Sequence, residues 1–296
     1  MGALLLSAAA VVPAAASADP VSACRSWEFV ELPVPPAVRS GGVTSGAGSF
    51  AVGNGSFWSM DGTTVLVWKD GQLVDQLSFF RNVTWARDVN SSGVVILSAY
   101  TFPAASRWQN GVYQSLQGLP GEYRVEALDV NERGDVLGRS DGKPVVWPAG
   151  SAVPQRVPGT DASWEPVGIA DDGSVLVSSA SGAQWVGSSG VVPLGAVQVR
   201  AVRGSYAVGV ADSRVVRWDV SGAAAEFRFA SDAVAVNSHG HVLSRSPGGD
   251  AELWESPDRS YPVPGGSSLV SVTDEGDVHG GAEGSPLLLD CAGGAR

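Results

Sequence analysis

Charge, sulfur and titratable rings are scarce in this 296-residue chain: 17% of its residues are charged, and it holds three histidines and two cysteines. With 44% hydrophobic residues beside so little charge, an extended disordered chain is excluded, because such chains carry the opposite balance. Basic residues number 19 against 30 acidic ones, and lysine occurs only at Lys69 and Lys143. A net charge of -11 repels a phosphate backbone, which proteins grip by displacing counterions with Lys and Arg, so nucleic acid is not an expected partner. Long apolar runs are missing after the first eighteen residues, and that leading run is itself shorter than the ~20 residues a bilayer-spanning helix needs. The histidines do not keep the spacing of a zincin helix, since His239 and His241 flank Gly240 in a turn. No G-x-S-x-G elbow exists either: Gly42 to Gly46 reads GVTSG, with Thr44 at the centre.

Abundant instead are glycine, with 38 residues, and proline, with 18, the signature of a folded chain rich in turns. Heavy use of Ala, Gly, Val and Arg matches a GC-rich bacterial genome. Residues 1–18, MGALLLSAAAVVPAAASA, form an uncharged apolar run closed by Ala16, Ser17 and Ala18, a small-x-small cleavage pattern that predicts a signal peptide and export. The mature chain is then expected to be one domain over residues 19–296, secreted and monomeric. An alternative stays open, because VSAC at Val21 to Cys24 resembles a lipobox and would tether the protein to the cell surface through Cys24.

One pattern returns along the rest of the chain. DVNSSGVVILS from Asp88, DVNERGDVLGRS from Asp129, GIADDGSVLVSS from Gly168, AVNSHGHVLSRS from Ala235 and SVTDEGDVHGG from Ser271 align on their turn glycine. GSFAVG from Gly48 and GSYAVG from Gly204 form a matched pair of shorter copies. A second apolar strand follows each copy and ends at Trp68, Trp108, Trp147, Trp185, Trp218 or Trp254, spaced 33 to 40 residues apart, with PLLLD at Pro286 to Asp290 in the seventh. Such a period signals an array of identical supersecondary units.

Within one unit, VEALDV, DVLGRS, PVVW and VPQRVP, between Val125 and Pro158, are short β-branched pieces bounded by turn residues. Four strands repeated seven times predict an all-β fold, a seven-bladed β-propeller. The seventh unit stops at Cys291 without a fourth strand, whereas WEFVELP, Trp27 to Pro33, is a fourth strand without a blade. The N-terminal strand is therefore expected to complete the last blade, with a Cys24–Cys291 disulfide standing where other blades have a covalent turn. Paired cysteines suit an exported protein, and closing so long a loop contributes roughly 5 kcal/mol in the chain-entropy account.

The pattern A-x-x-x-N-x-x-G-x-V-x-G followed by an apolar strand ending in Trp, clearest in ALDVNERGDVLGRSDGKPVVW from Ala127, resembles the extracellular HAF-repeat family and more loosely WD-type propellers. The resemblance covers nearly the whole mature chain, with Ala170 and Thr273 replacing the repeat Asn. It implies an exported, propeller-like protein and no defined activity.

Candidate chemistry follows from placement in the blades. Calling the strands A to D from the channel outward, Glu132, Asp135, Asp171, Asp172, Asp274, Glu275 and Asp277 all fall at A-to-B turns, which open on one face. No cofactor is expected, Ca²⁺ being the one ion such an acidic rim would suit. Asp88 and Asp129 sit on innermost strands, where they can face the channel. The repeat tryptophans read as blade-to-blade packing. Trp58, Trp85, Tyr100, Phe102, Tyr123 and Trp164 instead fall on the B-to-C and D-to-A connections of the opposite face, with Arg81, Arg87 and Arg124 nearby. Aromatic platforms with a polar rim make binding surfaces. SMDGTTVLVW from Ser59 reads as a hairpin with an Asp-Gly turn, and Asn54, Asn82 and Asn90 open sequons that matter only in a eukaryotic secretory route.

Two functions remain. The first is a non-catalytic exported propeller that binds a protein or glycan of the cell envelope or exterior through the six aromatics. The alternative is an extracellular enzyme, carbohydrate- or lactone-active, using channel-facing carboxylates. Fold does not choose between them.

Overall fold

The computed structural model describes residue 24 and residues 26–58, 62–80, 84–99, 104–265, 268–282 and 285–292. The expected leader, the residue triplet that opens SMDGTTVLVW, Arg81, Asn82, Tyr100 and Phe102 lie outside these residues. The described residues form seven four-stranded antiparallel sheets, each a meander from innermost to outermost strand. Blades 1 to 6 span residues 38–80, 84–115, 125–156, 165–195, 198–227 and 232–263. Blade 7 takes Leu269–Val272, Val278–Ala282 and Ser285–Ala292 from the C-terminal end and Ser26–Glu31 from the N-terminal end. That last pairing places Trp27 opposite Cys291 and Glu31 opposite Leu287. The ring is thus a seven-bladed β-propeller closed by an N-terminal strand.

The core is a set of seams. Seven separate hydrophobic clusters form, each built from two neighbouring blades, because a thin four-stranded blade can bury its faces only against its neighbours. The six repeat tryptophans are all buried. In blade 3 the Trp147 indole lies along strand B over Gly138, where a Cβ would come within 2.8 Å of the ring and 1.9 Å of the Glu126 carbonyl. The spacing from repeat glycine to tryptophan is therefore one packing unit: the glycine leaves room, and the ring fills it. Where the glycine is absent, the position can turn polar instead, as in blade 6, whose Trp254 Nε1 donates to Ser244 Oγ at 2.9 Å. Trp68 and Trp147 also donate their indole N–H across a seam, to the carbonyls of Pro33 and Gln117 at 2.8 Å.

The repeat asparagine has an equally direct role. In blade 2 the Asn90 Oδ1 accepts the N–H groups of Ser92 and Val94, closing its own turn, while Nδ2 donates 2.9 Å to the Asn131 carbonyl of the next blade. Asn131 repeats the link to Ala170 and Asn237 to Thr273. All three amides are buried, so each replaces water for backbone groups that would otherwise be orphaned. Two of the three sequon asparagines are thereby spoken for, since Asn54 is also held, bonding Thr44 and the Ala86 N–H.

Within blade 7, Cys24 and Cys291 form a disulfide with Cα atoms 5.1 Å apart. It lies beside the turn of Gly276, on the face where strands C and D of the other blades are joined. The bond replaces the missing hairpin.

Candidate functional site

The propeller has two faces and a channel, and each gathers different side chains. The channel is a cavity of about 230 Å³ lined by the A strands of all seven blades. Every A strand carries a bulge at the same height, and the residue just beyond it faces inward: Ser45, Asp88, Asp129, Gly168, Ala201, Ala235 and Ser271. Bulges re-aim side chains at barrel and channel rims. Asp88 Oδ2 accepts the Val130 N–H of the next blade at 3.2 Å, and Asp129 Oδ2 accepts Ile169 N–H at 2.7 Å in the blade after that. Ser45 Oγ donates to Asp88 across the seam from blade 1.

A third partner arrives from the far side of the ring. Arg203 of blade 5 donates to Asp88 Oδ1 at 3.2 Å and to the carbonyls of Val89 and Val130, with Glu132 at 3.8 Å. Burial works against the guanidinium charge, yet Asp88, Asp129, Glu132 and Asp274 together raise its pKa above the ordinary arginine value. Asp129 is pushed well above the usual carboxylate range by burial first, then by the charge and hydrogen bond of Asp88; Arg203 and the Ile169 N–H pull the other way. The channel pair is a cross-ring tie. Its oxygens engage backbone N–H groups, a serine, an arginine and one another.

On the face of the A-to-B and C-to-D turns, the acidic rim is largely consumed. Glu132 accepts the Ser91 N–H at 3.0 Å, Asp171 accepts the Glu132 N–H at 3.0 Å, and Asp274 accepts the Ser238 N–H at 2.8 Å, each reaching back one blade. Asp277 accepts the Cys291 N–H and Asp172 caps its own turn at Ser174. Asp135 titrates below its usual range: burial opposes the charge, but the Ala149 N–H, Asn131 and Arg133 hold it. Of the seven rim acids only Glu275 lacks a hydrogen bond or ion pair among the described residues. Among those residues no group of three His, Cys, Asp or Glu converges on a position suited to a metal ion. His241 has His239, Arg217 and Asp274 as charged neighbours, whereas His279 is buried against Gly46 and Ser271 with none, so the two rings do not form a pair.

The opposite face, made by the B-to-C and D-to-A connections, keeps its aromatic and basic groups open. At the seam of blades 2 and 3 a cavity of about 570 Å³ is lined by Trp85, Tyr123, Arg87, Arg124, Glu126 and Arg139, with small residues on its floor. Tyr123 is 80% exposed. Arg87 Nη2 donates to Glu126 at 2.7 Å; Arg139 lies 4.0 Å from the same carboxylate and pairs with Glu165 of blade 4. The structure therefore joins Trp85 and Tyr123 in one pocket together with two of the three arginines read from sequence. Trp58 stands apart, 67% exposed and stacked by Arg39 at 5.8 Å. Trp164 packs against the cluster between blades 3 and 4 and plugs its own loop. Arg139 and Arg203 were not singled out from sequence. Arg203 carried a faint signal, since the short GSYAVG turn leaves it at the position that blades 2, 3 and 6 give to Asn.

Structural comparison finds the same architecture in unrelated chains. PorZ, a bacterial surface component of the type-IX secretion system of Porphyromonas gingivalis, aligns with 90% of this chain at 11% identity and a TM-score of 0.57. A chain of the mitotic checkpoint complex aligns over 98% of this one at 13% identity and 0.57. YCF48 from Cyanidioschyzon merolae does so over 88% at 13% and 0.54. This chain shares their fold. It spans 38% of the PorZ chain, 99% of the checkpoint chain and 98% of YCF48, and identities this low carry architecture alone. No family model and no curated protein matches it.

Proposed function

We propose that this protein is an exported, non-catalytic β-propeller of the HAF-repeat type that binds a glycan or protein outside the cell through its aromatic face, at the seam of blades 2 and 3. The observation that carries the reading is the pocket itself: Trp85 and a Tyr123 ring 80% exposed, set among Arg87, Arg124 and Arg139. An aromatic ring left in water contributes nothing to stability, whereas buried under a ligand it becomes a strong anchor. The enzyme reading has no comparable support, because Asp88 and Asp129 spend their oxygens on the ring.

Export is supported by the disulfide, a bond that persists in oxidising compartments, and by the leader-like residues 1–18. PorZ, similar in fold, is a surface component of its bacterium. Cys24 bonded to Cys291 has no sulfur left for a lipid anchor, which favours release over tethering. Among the described residues no helix is long and apolar enough to cross a membrane.

The test is a binding screen of the full exported protein against glycan arrays and isolated envelope proteins, repeated with Trp85→Ala and Tyr123→Ala. Loss of binding at an unchanged melting temperature supports the reading. Binding that survives both substitutions overturns it.

A further inference from the structure

Resting on that reading, we infer that the ligand of the blade 2/3 pocket is a carboxylate-bearing saccharide, a uronic-acid-type glycan, with Arg124 binding the carboxylate and Tyr123 a sugar face. Charge points first to an anion. Three arginines and one glutamate line the pocket, with the carboxylates of Glu165 and Asp141 at its margins, so what decides the charge on offer is which arginine side chain is left uncommitted. The arginines are not equivalent. Glu126 ties down Arg87 and lies near Arg139, which Glu165 holds from the other side. The Arg124 guanidinium has no ion-pair partner among the described residues, although its backbone is pinned on both sides, by the Asp141 carboxylate on its N–H at 2.9 Å and the Asp141 N–H on its carbonyl at 2.8 Å. A guanidinium on a fixed stem with an open fork is the group that matches a carboxylate.

Shape separates a saccharide from an acidic peptide. The B strands of the walls are paired on both sides and the A strands, paired on one side, turn their free edge to the channel, so the pocket offers no strand edge for the main-chain hydrogen bonds that extended peptides use. A cavity of about 570 Å³ falls in the size range of small-ligand pockets. Aromatic rings present a negative face, which attracts the polarised C–H groups on the flat side of a sugar. An acidic sugar satisfies ring and arginine together.

The experiment is calorimetric titration of the full protein with a galacturonic acid trisaccharide, its methyl ester and a neutral galactose trisaccharide. Binding of the acid, weakened about 10-fold or more by Arg124→Ala as expected for a lost charge-assisted bond, and by Tyr123→Ala, is the predicted result. The ester and the neutral sugar should bind at least 10-fold more weakly, and rising salt should weaken the acid alone. Equal affinity for all three, still lost in Tyr123→Ala, overturns the carboxylate inference and leaves the aromatic face standing. Failure of all three sugars, or binding of a polyglutamate peptide in their place, overturns the saccharide; the face itself is then judged by the screen above. Acid binding indifferent to Arg124→Ala and Tyr123→Ala removes both. Circular dichroism of each variant guards against misfolding, and Trp58→Ala serves as a control expected to leave binding unchanged.

Discussion

The seam between blades 2 and 3 opens a cavity on each face, and the larger of the two is the poorer candidate. On the turn face about 810 Å³ is enclosed by Arg107, Gln109, Tyr113, Gln114, Glu132 and Arg133. Arg107 donates to the carbonyls of Gly134, Pro148 and Ser151; Gln109 and Gln114 bond Ser92 and Gly150; Ser106 donates to the Tyr113 hydroxyl. Arg107 and Gln114 knit blade 2 to blade 3, while Gln109, Ser106 and Tyr113 close bonds within blade 2. Across the seam, in the smaller pocket, the side chains of Tyr123 and Arg124 have no hydrogen bond or ion pair among the described residues. Volume says where a ligand fits, and unspent side chains say where one is wanted.

If the turn face and channel are the structural half of the ring, damage there should cost stability without touching binding. Replacing Cys24 and Cys291 by Ser removes the clasp and should cost up to about 5 kcal/mol, read from the urea midpoint with and without reductant. Arg203→Ala strands Asp88 and Asp129 in the channel and should cost about 3–5 kcal/mol, the usual penalty for breaking one side of a buried ion pair. A melting temperature unchanged in that variant would sink the cross-ring tie. Asn131→Ala orphans the Asp135 N–H and takes one of two donors from the Ala170 carbonyl, a loss of roughly 1–3 kcal/mol by the cost of a buried unpaired group.

Acid sharpens the contrast further. Burial pushes the His279 pKa down from 6.5 to about 4, so between these values the unfolded chain binds a proton that the folded chain refuses. Stability from this group is complete above pH 6.5 and drains away as pH falls toward 4, up to about 3 kcal/mol by the free-energy equivalent of the shift. A pH series of melting temperatures should show that fall and a flatter profile in His279→Leu. The smallest structural effect belongs to the other face: Tyr123→Ala should change stability by less than about 0.5 kcal/mol, as exposed substitutions do, while removing ligand binding. A large melting shift there would erase the distinction between the faces.

Much of the ring was legible from short stretches. The run Asn131 to Gly138 already contains a buried cap, a turn glycine and the space for an indole, and the sequence carries both halves of blade 7 with a cysteine on each. The candidate site was legible only as a direction. Connectivity assigned Trp58, Trp85, Tyr123 and Trp164 to one face, but strand order does not tell how far each loop leans or whether a ring turns inward. Hence Trp164 packs, half-buried, against a core while Tyr123, on the equivalent connection one blade earlier, stands in water.

By itself the sequence pointed to about seven blades, because turns, alternation and packing gaps are set by residues within a few positions of one another, and to the closing strand and the disulfide, because an unmatched strand piece and a cysteine stand at each end of the repeat array. Only the tertiary structure decided which charges meet. Arg203 and Asp88 are 115 residues apart and on opposite sides of the ring, and Trp85 of blade 2 shares a pocket with Tyr123 and Arg139 of blade 3 only where the two blades meet. Such encounters depend on closing the whole circle, a geometry no local pattern records.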